Sequence, residues 1–574
     1  MKGLNKVNWV FLCLSLLVLI SGLQKVSAMP PHPHLEAQIK SGKISLPDSL
    51  FDPKHLVEKG INQPCLHPQS PVYPTGTGPV GSYKALVLLV NFSDNPSSVN
   101  ASFFDTLIFG NQQGCVRHYY REVSYQALDI ITVNYPSAVD WYTAPQTYSW
   151  YVNGQYGLGS YPRNSQKLVE NLVDLVDPVV DFSQYDNDFD GEVDALIVVH
   201  AGPGAELTGS TNDIWSHMWG VTWSWSLSLK DGVRIWKYTM QPEYWLSPYD
   251  MTCGVYCHEL GHTFGLPDLY DTDNSSYGVG LWSLMAVGSW NGPWYMGDSP
   301  AHPDAWCMQE LGYVTPTIVS ANSTGVEIPA VKDSPTIFKL WTNGSPANEY
   351  FLVENRQRIG YDLYLPYQGL LIWHVDDNVS TNEDEWYPGH TAYGHYKVAL
   401  EQSDSLWQME KKTSAGNGGD PYPGNSNRRT FNYSSNPNSR SYAGSETYVG
   451  VENISNSADT MTCNFFVSSS KVEDQGDDDF LPGSYGLEQN YPNPFNPETK
   501  IEYSLKEDGW VKLEIFNVLG QKIRTLVDSN KEKGRNVVVW NGTDQAGMSL
   551  PSGIYFYRIS TDKFQKTNKM ILLK

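Results

Sequence analysis

The sequence predicts an α/β domain, then a β-rich region, then a small C-terminal β-sandwich. Three observations carry this expectation. Apolar strand-like runs alternate with amphipathic helical stretches as far as about residue 315. Helical spacing then fades into strand patterning as far as about 468. Beyond a polar acidic stretch, short strands separated by Gly, Asn and Asp turns run through the last ninety or so residues. A chain of 574 residues is also too long for a single hydrophobic core.

Within the first part, YKALVLLVNFSD (83–94) reads as a buried strand with a polar end, and VDALIVVHAG (193–202) as a second one. CVRHYYREVSYQAL (115–128) mixes helical spacing with a turn. KLVENLVDLVDPVV (167–180) is an amphipathic helix stopped by Pro178. A Trp-rich insert covers roughly 210–248. In the β-rich part, EYFLVENRQR (349–358), GLLIWHVDD (369–377) and TYVGVENISNSADTMTCNFFV (447–467) alternate or run apolar like strands. KIEYSL, VKLEIFNVLG, NVVVWNGTD and GIYFYRIST supply the strands of the terminal sandwich.

The ends of the chain carry their own signals. Lys2 and Lys6, the apolar WVFLCLSLLVLISGL and VSA ending at Ala28 form a signal peptide, 1–28. No later segment is apolar enough to cross a bilayer, so the mature chain is expected to be exported without an integral membrane segment. The Pro- and His-rich stretch 29–78 reads as a leader or pro-segment, followed by the α/β domain at 79–315 and the β-rich domain at 316–468. An acidic linker occupies 469–484 and the sandwich 485–574. Lys+Arg 39 against Asp+Glu 62 gives a net charge of -23, which sets aside nucleic acid and anionic membranes as main partners. Of seven cysteines, Cys13 leaves with the signal. The rest, in an oxidising compartment, predict up to three disulfides. Cys253 and Cys257 read as bridge members rather than metal ligands.

The chemistry concentrates in CHELGHTFGLPD (257–268). His258 and His262 lie four residues apart, so on a helix both imidazoles leave one face and can hold one zinc ion. Glu259 sits where a carboxylate can take the proton of a zinc-bound water. Gly265 can adopt the left-handed conformation that ends a helix, Pro267 stiffens the return, and Asp268 comes back as a third ligand. Two histidines and a carboxylate leave a fourth position open, as a catalytic zinc site requires. DNDFDGEVD (186–194) places Asp186, Asp188 and Asp190 at alternate positions, then Gly191 and Asp194, like the first part of a calcium loop. Position 12 of that loop is Ile197, so a rigid structural Ca2+ site is expected rather than a full EF-hand. Asp271, Asp273 and Asn274 give a weaker cation signal that a turn explains without metal.

HELGHTFGLPD resembles the extended motif of the metzincins in the variant whose third ligand is Asp, and LWSLMAVGSWN (281–291) resembles their Met-turn, with Met285 packing beneath the metal. Together with VRHYYREVSY, ALIVVHAG, IWSHMW (214–219) and YFLVENRQ…GLLIWHVD, the set is similar to the immune inhibitor A-like secreted peptidases over about 75–468. The resemblance implies a metzincin-like zinc-protease domain that hydrolyses peptide bonds of protein or peptide substrates. Zn2+ would be the catalytic cofactor and Glu259 the general base. His217, Tyr270 and Tyr295 are candidates for stabilising the oxyanion, although each tyrosine also reads as a core or rim aromatic. GINQPCLHPQ (60–69) leaves two readings open for Cys65: a thiol that blocks the zinc until the leader is removed, or a disulfide to Cys115 or Cys463. The stretch LEQNYPNPFNPETKIEYSL…LPSGIYFYRI is similar to the C-terminal sorting domains of bacterial type IX secretion and to the immunoglobulin-like domain of flagellar hook-capping proteins. That likeness implies outer-membrane secretion machinery as a partner and a secreted or outer-surface location. The competing class is a catalytically inactive surface adhesin or glycan-binding protein; Glu259 weighs against it, since zinc ligation alone has no need of a glutamate.

Overall fold

The computed structural model describes residues 27–46, 78–222, 228–391, 394–468, 485–487, 490, 493 and 495–573. The predicted signal peptide up to residue 26, the stretch around Cys65 and the 469–484 linker lie outside them. The chain divides into two compact units, Met1–Lys471 and Val472–Lys574.

In the first unit, six strands form one sheet: β1 (Ser27–Ala28), β2 (Leu86–Asn91), β3 (Trp141–Thr143), β4 (Leu196–Pro203), β5 (His217–Gly220) and β6 (Lys237–Tyr244). Their order is β1-β5-β6-β4-β2-β3. The β6, β4, β2 and β3 strands run parallel, β5 runs antiparallel to β6, and β1 antiparallel to β5. Strands buried on both faces are apolar at consecutive positions, which is why residues 86–90 of β2 and 196–199 of β4 read as hydrophobic runs. Their alternation divides them between two cores. Val87, Leu89, Ile197 and Val199 join the cluster that holds Val255 and Tyr256, while Leu86, Leu88, Val90 and Val198 pack with Leu168 and Leu172.

The helices that bear on the site and the two cores include α1 (Val116–Val123), α2 (Ser165–Val176) and α3 (Cys253–Thr263). Asn164 caps α2 by accepting from the Lys167 amide at 3.1 Å, and the helix stops two residues before Pro178. The predicted 83–94 strand is divided. Gly81–Lys84 pairs in parallel with Leu128–Ile131, and the chain enters the main sheet only after Ala85.

The β-rich region forms a five-stranded and a four-stranded sheet. Glu349–Arg356 and Gly369–Asp376 pair antiparallel along their whole length. One face of this pair, including Phe351, Val353 and Ile372, packs with Ile328, Phe431, Met461 and Phe465. The opposite face, including Tyr350, Leu352, Leu371 and Trp373, belongs to the same core as α3. Packing is therefore continuous across residue 315.

The second unit is the predicted sandwich. One sheet holds 486–487, 499–505 and 534–540, and the other holds 522–531, 509–517, 553–560 and 565–572. Alternate residues such as Ile501, Tyr503, Leu513, Ile515 and Tyr557 fill its core.

Among the described residues none of the expected disulfides forms: Cys115, Cys253, Cys257, Cys307 and Cys463 are all buried free thiols, and Cys65 lies outside the described residues. Cys253 and Cys257 sit one turn apart on α3, where Cβ atoms lie about 5–6 Å apart. A disulfide needs about 3.8 Å. Among the described residues, no helix is long and apolar enough to cross a membrane.

His374 adds a pH-dependent element. Its Nε2 meets Glu349 at 3.0 Å and its Nδ1 meets Glu401 at 3.1 Å, while Tyr442 stacks on its ring at 4.1 Å. Burial pulls its pKa down, but the two carboxylates outweigh burial and raise it above 6.5. A raised imidazolium contributes fully below the unfolded value of about 6.5 and loses its contribution as pH rises through the folded value. Calorimetry should show the melting temperature of the first unit falling from pH 6 to pH 9, with His374→Gln flattening that slope by a few degrees.

Candidate metal centre and cleft

Every residue of α3 is buried. The helix ends where Gly265 turns at φ +96°, with the Leu266 amide donating to Gly261 O at 3.1 Å and the Gly265 amide to His262 O at 3.0 Å. This double closure is the Schellman pattern, and the left-handed glycine makes it accessible. The reversed chain brings Asp268 back over the helix. Its Oδ1 lies 3.3 Å from His258 Nε2 and 3.1 Å from His262 Nε2, and the two Nε2 atoms are 3.2 Å apart.

Two carbonyls hold the imidazoles. Leu284 O sits 2.9 Å from His258 Nδ1, and Leu266 O sits 2.8 Å from His262 Nδ1. With Nδ1–H donating to a carbonyl, each Nε2 lone pair is presented for ligation. Leu284 belongs to the predicted Met-turn. Next to it, Met285 O accepts from the Leu269 amide at 2.8 Å. A Cβ on Gly261 would stand 2.7 Å from Met285 Sδ, so the thioether lies directly against the helix between its two histidines.

The donor set fits zinc. Around an ion with bonds of about 2.0–2.1 Å, tetrahedral ligand atoms stand about 3.3 Å from one another. The three separations here are 3.1, 3.2 and 3.3 Å. The site is therefore of the His/His/Asp zinc type. Burial alone would push the Asp268 carboxyl up, but His262 and His258 outweigh it and bring it to about 2. Burial lowers the pKa of His258. Glu259 is fully buried, and neither carboxylate oxygen completes a hydrogen bond among the described residues. Burial, then the charges of Asp268 and Glu206, raise its pKa well above the usual carboxylate value, with only the Met29 amide opposing.

The cleft is occupied by the chain's own N-terminal segment. Ser27 and Ala28 pair with Met218 and His217 of β5, and the Met29 amide donates to Ser216 O at 3.1 Å. The Tyr270 hydroxyl donates to Ala28 O at 2.5 Å, and its ring lies 6.4 Å from that of His258. Of the three oxyanion candidates, the structure brings Tyr270 to the centre. His217 is a buried strand residue whose ring nitrogens meet Trp215 O at 2.6 Å and the Tyr238 hydroxyl at 3.2 Å. Burial takes its pKa down to about 4. Tyr295 is half exposed, and its carbonyl lies 2.6 Å from His32 Nε2. Neither residue contacts the triad. Tyr270 follows Asp268 by two residues, so the turn that returns the third ligand also carries this phenol into the cleft.

At the acidic loop, carboxylate oxygens of Asp186, Asp188 and Asp194 converge within 4.8 Å. Asp190 is not part of this trio; it accepts from the Glu192 amide at 2.8 Å. Burial, followed by the charges of Asp188 and Asp190, raises Asp194 to about 7. Asp271 closes its own turn by accepting from the amides of Asp273 and Ser276 at 3.1 and 2.7 Å.

Comparison with known proteins agrees with this geometry. Residues 73–313 match the immune inhibitor A peptidase M6 catalytic domain, and 489–573 match the secretion system C-terminal sorting domain. The pre-pro-metalloprotease PrtV of Vibrio cholerae is 27% identical over 330 residues, covering 48% of this chain and 35% of that protein. Immune inhibitor A of Bacillus thuringiensis is 29% identical over 263 residues, covering 38% and 37%. The match thus spans little more than a third of these relatives' length. The FlgD structure from P. aeruginosa aligns at 20% identity and a TM-score of 0.11, covering 13% of this chain and 57% of that one. The chain carries a peptidase M6 catalytic domain of the immune inhibitor A type, fused to a C-terminal secretion sorting domain.

Proposed function

We propose that the chain is an exported zinc-dependent endopeptidase acting on protein or peptide substrates, with Glu259 as general base. The observation that carries this reading is a fully buried glutamate with no cationic or side-chain partner, approached only by the Met29 amide and set beside three donors spaced for one ion. His258, His262 and Asp268 would hold the metal. Zinc bound there supplies Lewis acidity toward a carbonyl and a water of lowered pKa. Glu259, its proton affinity raised by burial, takes the proton of the attacking water and returns it to the leaving amine. The Tyr270 hydroxyl donates to the carbonyl of the bond in the cleft, as it does to Ala28 O. Met285 supports the histidines from below.

The leader, 29–78, serves as a pro-segment: Met29 and Pro30, with Ala28 of the signal peptide before them in the unprocessed chain, fill the place a substrate would take. Asp186, Asp188 and Asp194 form a structural calcium site, supported by their convergence and by Gly191 at φ +89°. The sorting domain supports export through type IX outer-membrane machinery, with release or attachment at the surface.

Mature protein should contain about one zinc per chain by elemental analysis. Glu259→Gln should keep the zinc and lose casein hydrolysis by about 10²–10⁴-fold. Asp268→Ala should lose the zinc while keeping its far-UV circular dichroism. Zinc-loaded, properly folded protein that leaves casein intact even after the leader is cut would sink the reading.

Calcium should raise the melting temperature of the first unit, and Asp186→Asn with Asp194→Asn should abolish that rise. An equal rise in the double variant would place the ion elsewhere.

A further inference from the structure

Building on the endopeptidase reading, we propose that two buried indoles, Trp215 and Trp290, position a bound peptide on the C-terminal side of the cleaved bond, and that the cleft thereby accepts proline there. The segment in the cleft shows how. Up to Met29 it is held as an added strand, through Ala28 opposite His217 and through the Met29 amide on Ser216 O at 3.1 Å. After Met29 the mode changes. Trp215 Nε1 donates to Met29 O at 2.7 Å, and Trp290 Nε1 donates to Pro30 O at 3.0 Å. The next backbone donor used is His32 N, which reaches Glu206 O at 2.8 Å.

Ordinary strand addition needs N–H groups at alternate residues and so excludes proline. An indole is only a donor, so it reads carbonyls, which proline retains. Residues 30 and 31 are both proline, and no N–H is asked of either. Both indole rings are fully buried, so their donors are fixed in place. Ala28 and Met29 are also fully buried. The substrate class is therefore a peptide with a small residue before the bond, an unbranched apolar residue after it, and proline tolerated at the next two positions.

The test uses the full chain, folded and then cut at a protease site introduced between residues 60 and 70. Three labelled peptides are compared: Ser-Ala-Met-Pro-Pro-His, Ser-Ala-Met-Ala-Ala-His, and Ser-Ala-Met-amide, which lacks the Pro30 carbonyl. Binding is measured on Glu259→Gln and cleavage on the active protein. The two hexapeptides should agree within threefold in Kd and in kcat/KM. Trp290→Phe, which keeps an aromatic ring and removes the donor, should weaken the hexapeptides about fivefold through KM with kcat little changed. It should leave the Met-amide peptide unaffected, whereas Trp215→Phe should weaken all three. The inference is overturned if Trp290→Phe weakens all three alike, or if the proline peptide binds more than tenfold worse than the alanine one. Casein digestion run alongside separates the two readings. Its absence with the binding pattern intact removes only the protease, and its presence without the pattern removes only this inference.

Discussion

The centre depends on two main-chain carbonyls. Leu284 O and Leu266 O take the Nδ1 side of the imidazoles of His258 and His262 and fix which nitrogen faces the metal position. Spacing on a helix brings two imidazoles to one face, but it leaves their rotamers free, and fixing free rotamers costs entropy at each binding event. Here that freedom is removed during folding. One carbonyl comes from the Met-turn and the other from the turn that ends α3, so the two loops that flank the ligands are also their clamps. The Gly261–Met285 contact follows from the same requirement. The glycine leaves room for the Met285 thioether to lie against α3 between the two histidines.

The electrostatics of the cleft are unbalanced by design. Asp268, Glu206 and Glu259 are buried or nearly so, and no lysine or arginine is among the groups that set the ionisation of Glu259. Buried carboxylates are costly unless a cation or a hydrogen bond compensates them. Glu206 has its compensation in the Ser216 amide and hydroxyl, at 3.1 and 2.5 Å. Asp268 has the two histidines. Glu259 has no cation and only the Met29 amide of the occupying segment, so its burial is the least compensated of the three. The occupying segment completes the burial, since it closes over the glutamate without offering it a charged partner.

Much of this was legible in the residues because the chemistry is local. Two histidines four apart, a glycine placed to end the helix and an aspartate three residues later state a metal site within one stretch of chain. The convergence of Asp186, Asp188 and Asp194 was legible for the same reason, while Asp190, read together with them, stays outside the trio. What eluded the sequence depends on distant partners. His217 looks like a cleft residue because it lies in a Trp-rich insert, yet the strand pairing turns its ring onto Tyr238. Tyr295 and Tyr270 are equally plausible as phenols, and only the fold tells which one reaches the bound carbonyl. The disulfide expectation rested on compartment and count, whereas helix geometry keeps Cys253 and Cys257 apart. The strand at Ser27–Ala28 has no periodicity to betray it, because its partner is an edge almost two hundred residues away.

The β-rich region belongs to the same argument. Arg356, fully buried, donates to Asp362 through Nε and Nη2 in two contacts of 2.6 Å, while Nη1 reaches Trp282 O and Nη2 also reaches His302 O, each at 3.3 Å. The His302 amide returns to Asp362 at 2.9 Å, and the Leu284 amide reaches His302 O at 3.3 Å. A continuous set of charge-assisted and main-chain bonds thus runs from the sheet of 349–376, through the Met-turn, to the carbonyl that holds His258. A fold that ended at residue 313 would leave the guanidinium site empty and would expose the core face formed by Tyr350, Leu352, Leu371 and Trp373. The end of the matched catalytic domain is therefore a boundary of sequence similarity, while the unit that holds the metal ligands in place extends well beyond it.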